Sequence, residues 1–381
     1  MPPFAPSVPT ATRTGPPVRT LDLDYMADAL DDTFRAMAGT RLLITGGAGF
    51  LGYYLVQSVL HWNATRGADA PVAVVAVDNF MRGRPRWLDR CAATYDTLTV
   101  GTHDITAPLP DTWGAFDFIV HAASIASPTF YRKHPLATMD ANVQGLRHLL
   151  DYAVARDHAG HPLHGLLFFS SSEIYGDPEP AAIPTPETYP GRVSCTGPRA
   201  CYDESKRYGE TLCVNYAAAH GVPVKTARPF NNFGPGLSLH DRRVPPDFAR
   251  DVLANRDIVM LSDGSPTRTF CYVADAIIGY YKILVHGTPG AAYNIGTDAP
   301  EVSIADLGAR FVTLGRELFD YTGQVVRETA DDPQYLTDNP NRRCPDITKA
   351  RTTLNYEPRI SLDEGLKRSL LWYATTFTED F

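Results

Sequence analysis

The run Thr45–Gly52, TGGAGFLG, limits what this chain can fold into more than any other feature. It follows an apolar run, Arg41–Thr45 (RLLIT), and leads into a helical pattern over Gly49–Leu60. A glycine-rich turn between a buried strand and a helix bares the helix N-terminus, where free N–H groups and the positive dipole end can meet a phosphate. Side chains at Gly46, Gly49 and Gly52 would block that approach, although a tight structural turn also uses such glycines. A second apolar run, Val72–Val77, ends in Asp78 and Asn79. A carboxylate at that point can bind the ribose hydroxyls of a dinucleotide. It favours NAD over NADP, because it repels a 2′-phosphate. Phe50 and Leu51 lie inside the loop, and Arg82 and Arg84 follow closely enough to reach the cofactor phosphates.

The rest of the chain repeats the alternation. Phe116–Val120, Leu166–Ser170 and Val222–Arg228 read as further strands, separated by helical stretches. They lack in–out alternation, as strands covered on both faces do. The expected fold is therefore α/β: a Rossmann-type doubly wound parallel sheet with a smaller C-terminal substrate-binding domain. Residues 1–20 read as a flexible Pro/Thr/Ala-rich tail. Residues 21–235 form the NAD-binding domain, entered by a helix whose Met26, Leu30, Phe34 and Met37 share one face. Residues 236–381 are mainly substrate-binding, with about 268–285 returning to the first domain.

Composition narrows the function. The 381 residues are 44% hydrophobic and 20% charged, with a net charge of −8. That is globular and too acidic to wrap nucleic acid. No apolar run reaches the roughly 18 residues of a membrane span, and MPPFAPSVPT lacks the apolar block of a signal peptide. The six cysteines contain no C-x-x-C pair, so no metal site is expected, and scattered thiols fit a reducing compartment. The expectation is a soluble, cytoplasmic protein without a membrane or nucleic-acid partner.

Tyr202 and Lys206 stand four apart and would share a helix face. A phenol has a pKa near 10, and a nearby ammonium would lower it. Such a phenol can take a proton from an alcohol while hydride leaves the same carbon. An exposed helix face is the plain alternative for this spacing. Ser171 and Glu173 follow the fourth strand read here, on the side where open parallel sheets bind ligands. Ser171 can share a hydrogen bond with the reacting hydroxyl. Glu173 either supplies a carboxylate there or caps a helix. Asp104, Ile105, Ala122 and Ser124 would sit at later strand ends, beside the two halves of the dinucleotide.

Together these stretches resemble the extended short-chain dehydrogenase/reductases, in their nucleotide-sugar branch, over about residues 40 to 375. Within the branch the likeness is strongest to the UDP-glucuronate decarboxylases. It is carried by VDNFMRGR (77–84), ASPTFY (126–131), SSSEIYGDPE (170–179), GPRACYDESKRYGETL (197–212), RPFNNFGPG (228–236), TRTFCYV (267–273), and DDPQ with RRCPDI near 331–347. The resemblance implies bound NAD and a UDP-linked sugar. It implies Ser171, Tyr202 and Lys206 as a catalytic trio, and Glu173 as an extra acid/base. Ser127, Tyr131, Asn231, Arg243, Arg268 and Arg343 fall on the substrate side, with Asn231, Arg268 and Arg343 near the pyrophosphate. The implied reaction oxidises the sugar at C4, releases CO2 and reduces C4 again, giving a UDP-pentose. A C4 epimerase and a 4,6-dehydratase share the first oxidation and remain open. A non-catalytic dinucleotide-binding module would keep the glycines and lose Tyr202 and Lys206. The resemblance further implies a homodimer built on helices at about 142–156 and 202–220, with Leu146, Leu149 and Leu150 facing either the partner or the sheet. The chain departs from the pattern at Ser171 (usually Thr), at Gly236 (usually Arg), at an insertion over 335–341, and in its N-terminal helix.

Overall fold

A computed structural model describes residues 16–329, 337 and 339–381. Most of the 1–20 tail, the DDPQ stretch and part of the 335–341 insertion lie outside the described residues. Seven parallel strands form one sheet: β1 (Arg41–Thr45), β2 (Ala73–Asp78), β3 (Leu98–Thr102), β4 (Phe118–His121), β5 (Gly165–Phe169), β6 (Val224–Pro229) and a last strand, Ala292–Ile295. Their order is last strand, β6, β5, β4, β1, β2, β3. The order reverses beside β1, and open parallel sheets bind ligands at such a point, outside the strands' C-terminal ends.

The five apolar runs read from the sequence are β1, β2, β4, β5 and β6; β1 coincides with its run, and the other four are displaced by one or two residues at their ends. Two strands carried no such signal, and both are edges. In β3 (LTVGT) only Leu98 is buried, and the last strand has four residues, AYNI. Edge strands need no continuous apolar run, because one side meets solvent or a loop.

Helices cover both faces. Their ranges are α1 (Val18–Arg35), α2 (Phe50–Thr65), α3 (Arg86–Thr94), α4 (Pro128–Lys133), α5 (Pro135–Asp140), α6 (Leu146–His158), α7 (Ala200–His220), α8 (Val244–Leu253) and α9 (Val273–His286). On one face, α1, α2 and α9 bury Leu30, Phe34, Val56, Ile277 and Tyr281 against Leu42, Ile44 and Leu167. On the other, α6 and α7 pack Leu146, Leu149, Leu150 and Leu212 onto Leu43, Leu166 and Phe168. The three leucines of α6 thus face the sheet and are spent inside the subunit.

The N-terminal helix begins at Val18, so residues 18–20 belong to it and not to a tail. Met26, Leu30, Phe34 and Met37 are all fully buried, as their spacing requires. Burying each such side chain is worth about 1.5–3 kcal/mol. Asp22 on the same helix is buried too. It accepts hydrogen bonds from Tyr54 (2.6 Å), Tyr272 (2.5 Å) and Arg368 (2.7 Å). One carboxylate thereby ties α1 to α2, to the start of α9 and to the C-terminal helix Leu362–Thr375.

Beyond residue 236 the chain leaves the sheet and comes back. Helix α9 is buried along nearly its whole length, and the strand after it pairs with β6, so the returning stretch reaches Ile295.

Candidate active site

A cleft of about 1070 Å³ lies over the C-terminal ends of β1, β2, β4 and β5, and every residue assigned above to catalysis, cofactor or substrate lines it.

Its floor is the glycine loop. Gly46 has φ +72°, and a Cβ there would lie 2.6 Å from the Ala123 nitrogen. A Cβ on Gly52 would lie 2.3 Å from the Gly47 oxygen. Both positions therefore require glycine. The Asp78 carboxylate accepts from the backbone N–H groups of Phe80 (2.8 Å) and Ala48 (3.2 Å). Burial pushes its carboxyl up, against the pull of those N–H groups. The Ser124 hydroxyl is buried with no protein partner. A bare loop at a helix N-terminus, a carboxylate at the end of β2 and an unpaired hydroxyl nearby fit a dinucleotide.

Two residues of this half also have protein partners. Asp104 holds its own turn, accepting from the Thr106 N–H (3.0 Å) and hydroxyl (2.8 Å), which keep its carboxyl low. Arg82 reaches across the cleft and donates to Asp241 (3.1 Å).

Tyr202 and Lys206 lie on α7, both buried. The Lys206 Nζ stands 5.7 Å from the Tyr202 ring centroid and donates to the Phe169 carbonyl at 2.7 Å. Tyr131 lies flat on Tyr202, with 5.1 Å between ring centroids and 12° between planes. Its hydroxyl is buried and unpartnered. Ser171 hydrogen-bonds Tyr202 and also accepts from the Glu173 N–H (3.2 Å), so one hydroxyl caps the Ser172–Tyr175 turn and serves the phenol. The expectation of an acidic phenol is not met, because Tyr202 and Lys206 are both buried. Burial pushes Tyr202 up to about 12, despite Ser171 and Arg243. Burial also pushes Lys206 down to about 7. Removing both groups from water penalises each charged form more than their proximity rewards it.

Glu173 forms the third cluster. Burial favours its protonated form, but Arg199 and Arg343 outweigh that and hold the carboxyl well below its ordinary range. Arg343 Nη2 lies 2.8 Å from Oε2, and both guanidiniums contact the carboxylate. Arg268 lies close by, with its guanidinium donating to the carbonyls of Thr267 (2.7 Å), Asn341 (3.2 Å) and Pro340. Burial, and then Arg343, push it down to about 9. Asn231 has φ +42° and holds the Thr269 carbonyl at 2.8 Å. Ser127 donates to the Asp241 carbonyl (2.7 Å).

Two residues of the cleft escaped the sequence reading. Arg199 stands three residues before Tyr202, inside GPRACYDESK, and that spacing was its signal. Asp241 had none. Gly236 is also explained: at φ +90°, any Cβ would meet the Tyr53 Cβ at 2.6 Å, so no arginine fits this backbone.

Fold, glycine loop and the Tyr202/Lys206 pair define an NAD-dependent enzyme of the extended short-chain dehydrogenase/reductase class. The model of the NAD dependent epimerase/dehydratase family matches residues 42–296, and the chain belongs to that family. UDP-glucuronic acid decarboxylase 1 of Xenopus tropicalis is 36% identical over 335 residues, covering 87% of this chain and 72% of its own. UDP-glucuronic acid decarboxylase 5 of Arabidopsis thaliana is 34% identical over 86% of this chain and 87% of its own. Among solved structures, a dTDP-glucose 4,6-dehydratase from Streptomyces venezuelae with NAD bound superposes with a TM-score of 0.74 at 25% identity, over 89% of this chain and 98% of that one. A UDP-glucose 4-epimerase from Thermotoga maritima shares the fold, with a TM-score of 0.73 at 22% identity, over 88% of this chain and 99% of its own. Among the described residues, no helix is long and apolar enough to cross a membrane.

Proposed function

We propose that the protein converts UDP-glucuronate to a UDP-pentose and CO2 through a 4-keto intermediate. The observation that carries this reading is the placement of Glu173, Arg199 and Arg343 beside Tyr202. Two buried guanidiniums converging on one carboxylate, next to the proton-transferring phenol, suit a sugar that is itself an acid. The decarboxylases that resemble this chain over most of its length support it.

Tyr202 takes the proton of the sugar 4-hydroxyl, with Ser171 sharing that hydrogen bond. When bound, NAD supplies the hydride acceptor, then the donor on return, and its oxidised ring brings a positive charge into the cleft. Burial pushes the phenol up to about 12, while Ser171 and Arg243 favour the phenolate that this step needs. The C4 ketone lies β to the C6 carboxylate, and it receives the electron pair as the C5–C6 bond breaks and CO2 leaves. A water that the Glu173 carboxylate holds returns a proton to C5. Tyr131 packs on the phenol ring and fixes its plane. Asn231, Arg243, Arg268 and Arg343 are assigned to the nucleotide sugar, and Gly46–Gly52, Asp78, Asn79, Ala122 and Ser124 to NAD.

A homodimer belongs to the same reading. With the leucines of α6 turned inward, the apolar surface on the neighbouring helices is Leu136 (73% exposed) and Met139 on α5 and Tyr208 and Val214 (52% exposed) on α7. A cytoplasmic setting is supported by six free thiols, the state of a reducing compartment.

The test is incubation with UDP-glucuronate and NAD, followed by mass spectrometry. A UDP-pentose and one CO2 per turnover are expected. Turnover with the carboxylate retained would point to epimerisation and overturn the proposal.

A further inference from the structure

Asp241 stands where four parts of the chain meet over the cleft. Its side chain is buried, with 2% exposed. From the loop after β2, Arg82 Nη1 donates to Oδ2 at 3.1 Å, and the same guanidinium lies over the Phe130 ring of α4, 4.6 Å from its centroid. From its own loop, Arg243 Nε lies 2.6 Å from Oδ1. That contact lacks hydrogen-bond alignment, so both atoms keep unused bonding capacity. The Arg243 guanidinium sits 5.9 Å from the ring centroid of Phe50, the first residue of α2. Ser127, just before α4, holds the Asp241 carbonyl. The loop itself is pinned at its far end, where Gly236 presses on Tyr53 and the Tyr373 hydroxyl holds the Leu237 carbonyl at 2.8 Å.

The result is a span of polar contacts running from the loop after β2 to the loop after β6, above the glycine floor. Its ends are two arginines, 45% and 31% exposed at the side chain, which solvent and ligands can reach. Such a bridge can open to admit a dinucleotide and re-form above it. The reaction oxidises and then reduces the same carbon, so the cofactor that leaves between the two steps leaves the product unfinished.

We propose that Asp241 is a positioning residue that straps the cleft closed through Arg82 and Arg243, keeping NAD(H) in place through both half-reactions. The inference rests on NAD use and, for its turnover readout only, on the decarboxylase reading.

The test uses the full chain as Asp241→Asn and, separately, Arg82→Gln, each loaded with NADH and followed by its fluorescence after dilution without any sugar. NADH leaves both variants about tenfold faster than the parent, corresponding to roughly 1.4 kcal/mol. With UDP-glucuronate and excess NAD, both variants also release NADH and a 4-keto product, one NADH per CO2. If Arg82 grips the cofactor directly, Arg82→Gln speeds release while Asp241→Asn, which frees Arg82, does not; that result overturns the strap, as do parental rates in both. Should Asp241→Asn fail to fold, Arg243→Gln keeps the test: it cuts the other end of the bridge and leaves Arg82 in place, so NADH release quickens if the bridge holds the cofactor, and a parental rate overturns the strap. Faster NADH release without CO2 from any variant or the parent supports the strap and rejects the decarboxylase reading alone.

Discussion

Arg343 reaches Glu173 from 170 residues further along the chain, its Nη2 2.8 Å from Oε2. This pair, with Arg199, closes the C-terminal part of the chain onto the end of β5. The Glu173 carboxyl titrates lower folded than its ordinary 4.5. The pairing therefore stabilises the fold fully above that value and is lost as the pH falls below it. Glu173→Gln strands two buried guanidiniums and should cost about 3 kcal/mol at neutral pH. Urea unfolding at a series of pH values checks both statements. The gap between parent and variant should be constant above the ordinary value of 4.5 and narrow steadily with acid below it; a gap that does not shrink as the pH falls would contradict the assignment.

Tyr202→Phe removes one oxygen and keeps the ring that Tyr131 stacks on. Fold and NADH binding should survive, while CO2 release drops about a hundredfold or more, the usual worth of a positioned proton carrier. Radiolabelled UDP-glucuronate gives the rate, and NADH fluorescence confirms that the cofactor still binds. Parental turnover in this variant would remove the phenol from the chemistry.

Lys206 gives a second pH signature of the same sense in a higher window. Burial lowers its pKa to about 7, from 10.5 in the unfolded chain. Between those values the unfolded chain holds a proton that the folded chain has released, so the contribution of Lys206 to stability rises with pH across that window. Below about pH 7 the full penalty of the buried ammonium applies. The stability of the parent relative to Lys206→Met should rise from pH 7 to about pH 10. A flat difference would mean that the ammonium is solvated.

These groups show what the sequence could and could not disclose. Chain spacing fixed the Tyr202–Lys206 face and the glycine floor, because both depend on neighbours within one turn or loop. The strands β3 and Ala292–Ile295 were illegible, since an edge strand needs no apolar run. Asp241 was invisible for another reason: its partners Arg82 and Ser127 lie 159 and 114 residues away, and nothing local marks it. The acidity of Tyr202 was misjudged because helical spacing gives proximity and says nothing about burial. The leucines of α6 were ambiguous because both a partner helix and a sheet accept the same periodic stripe.

The helix α1 supplies a stability test apart from the chemistry. Asp22→Ala leaves Tyr54 and Tyr272 without an acceptor and Arg368 without its buried partner. Breaking such a pair costs about 3–5 kcal/mol. The cleft is not touched, so the variant should unfold at a markedly lower temperature and turn over at the parental rate in the cold. Differential scanning calorimetry with a low-temperature assay separates the two. Loss of activity without loss of stability would show that α1 serves the site.

Leu136 and Val214 test the assembly. They belong to α5 and α7, helices that pack against each other, and both are largely exposed. Isolated exposed leucines are ordinary; under the proposed homodimer, a second copy covers the exposed apolar residues of these two adjoining helices. A glutamate at each position places charge on the face proposed to pair, where both side chains are largely exposed. The double variant Leu136→Glu/Val214→Glu should therefore elute as a monomer while the parent elutes as a dimer, with unfolding by heat shifted down, because a monomer loses the stabilisation that association supplies by mass action. Light scattering on the eluting peak gives the mass directly. An unchanged dimer would move the interface to another face of the subunit, and a monomeric parent would dispose of the dimer altogether.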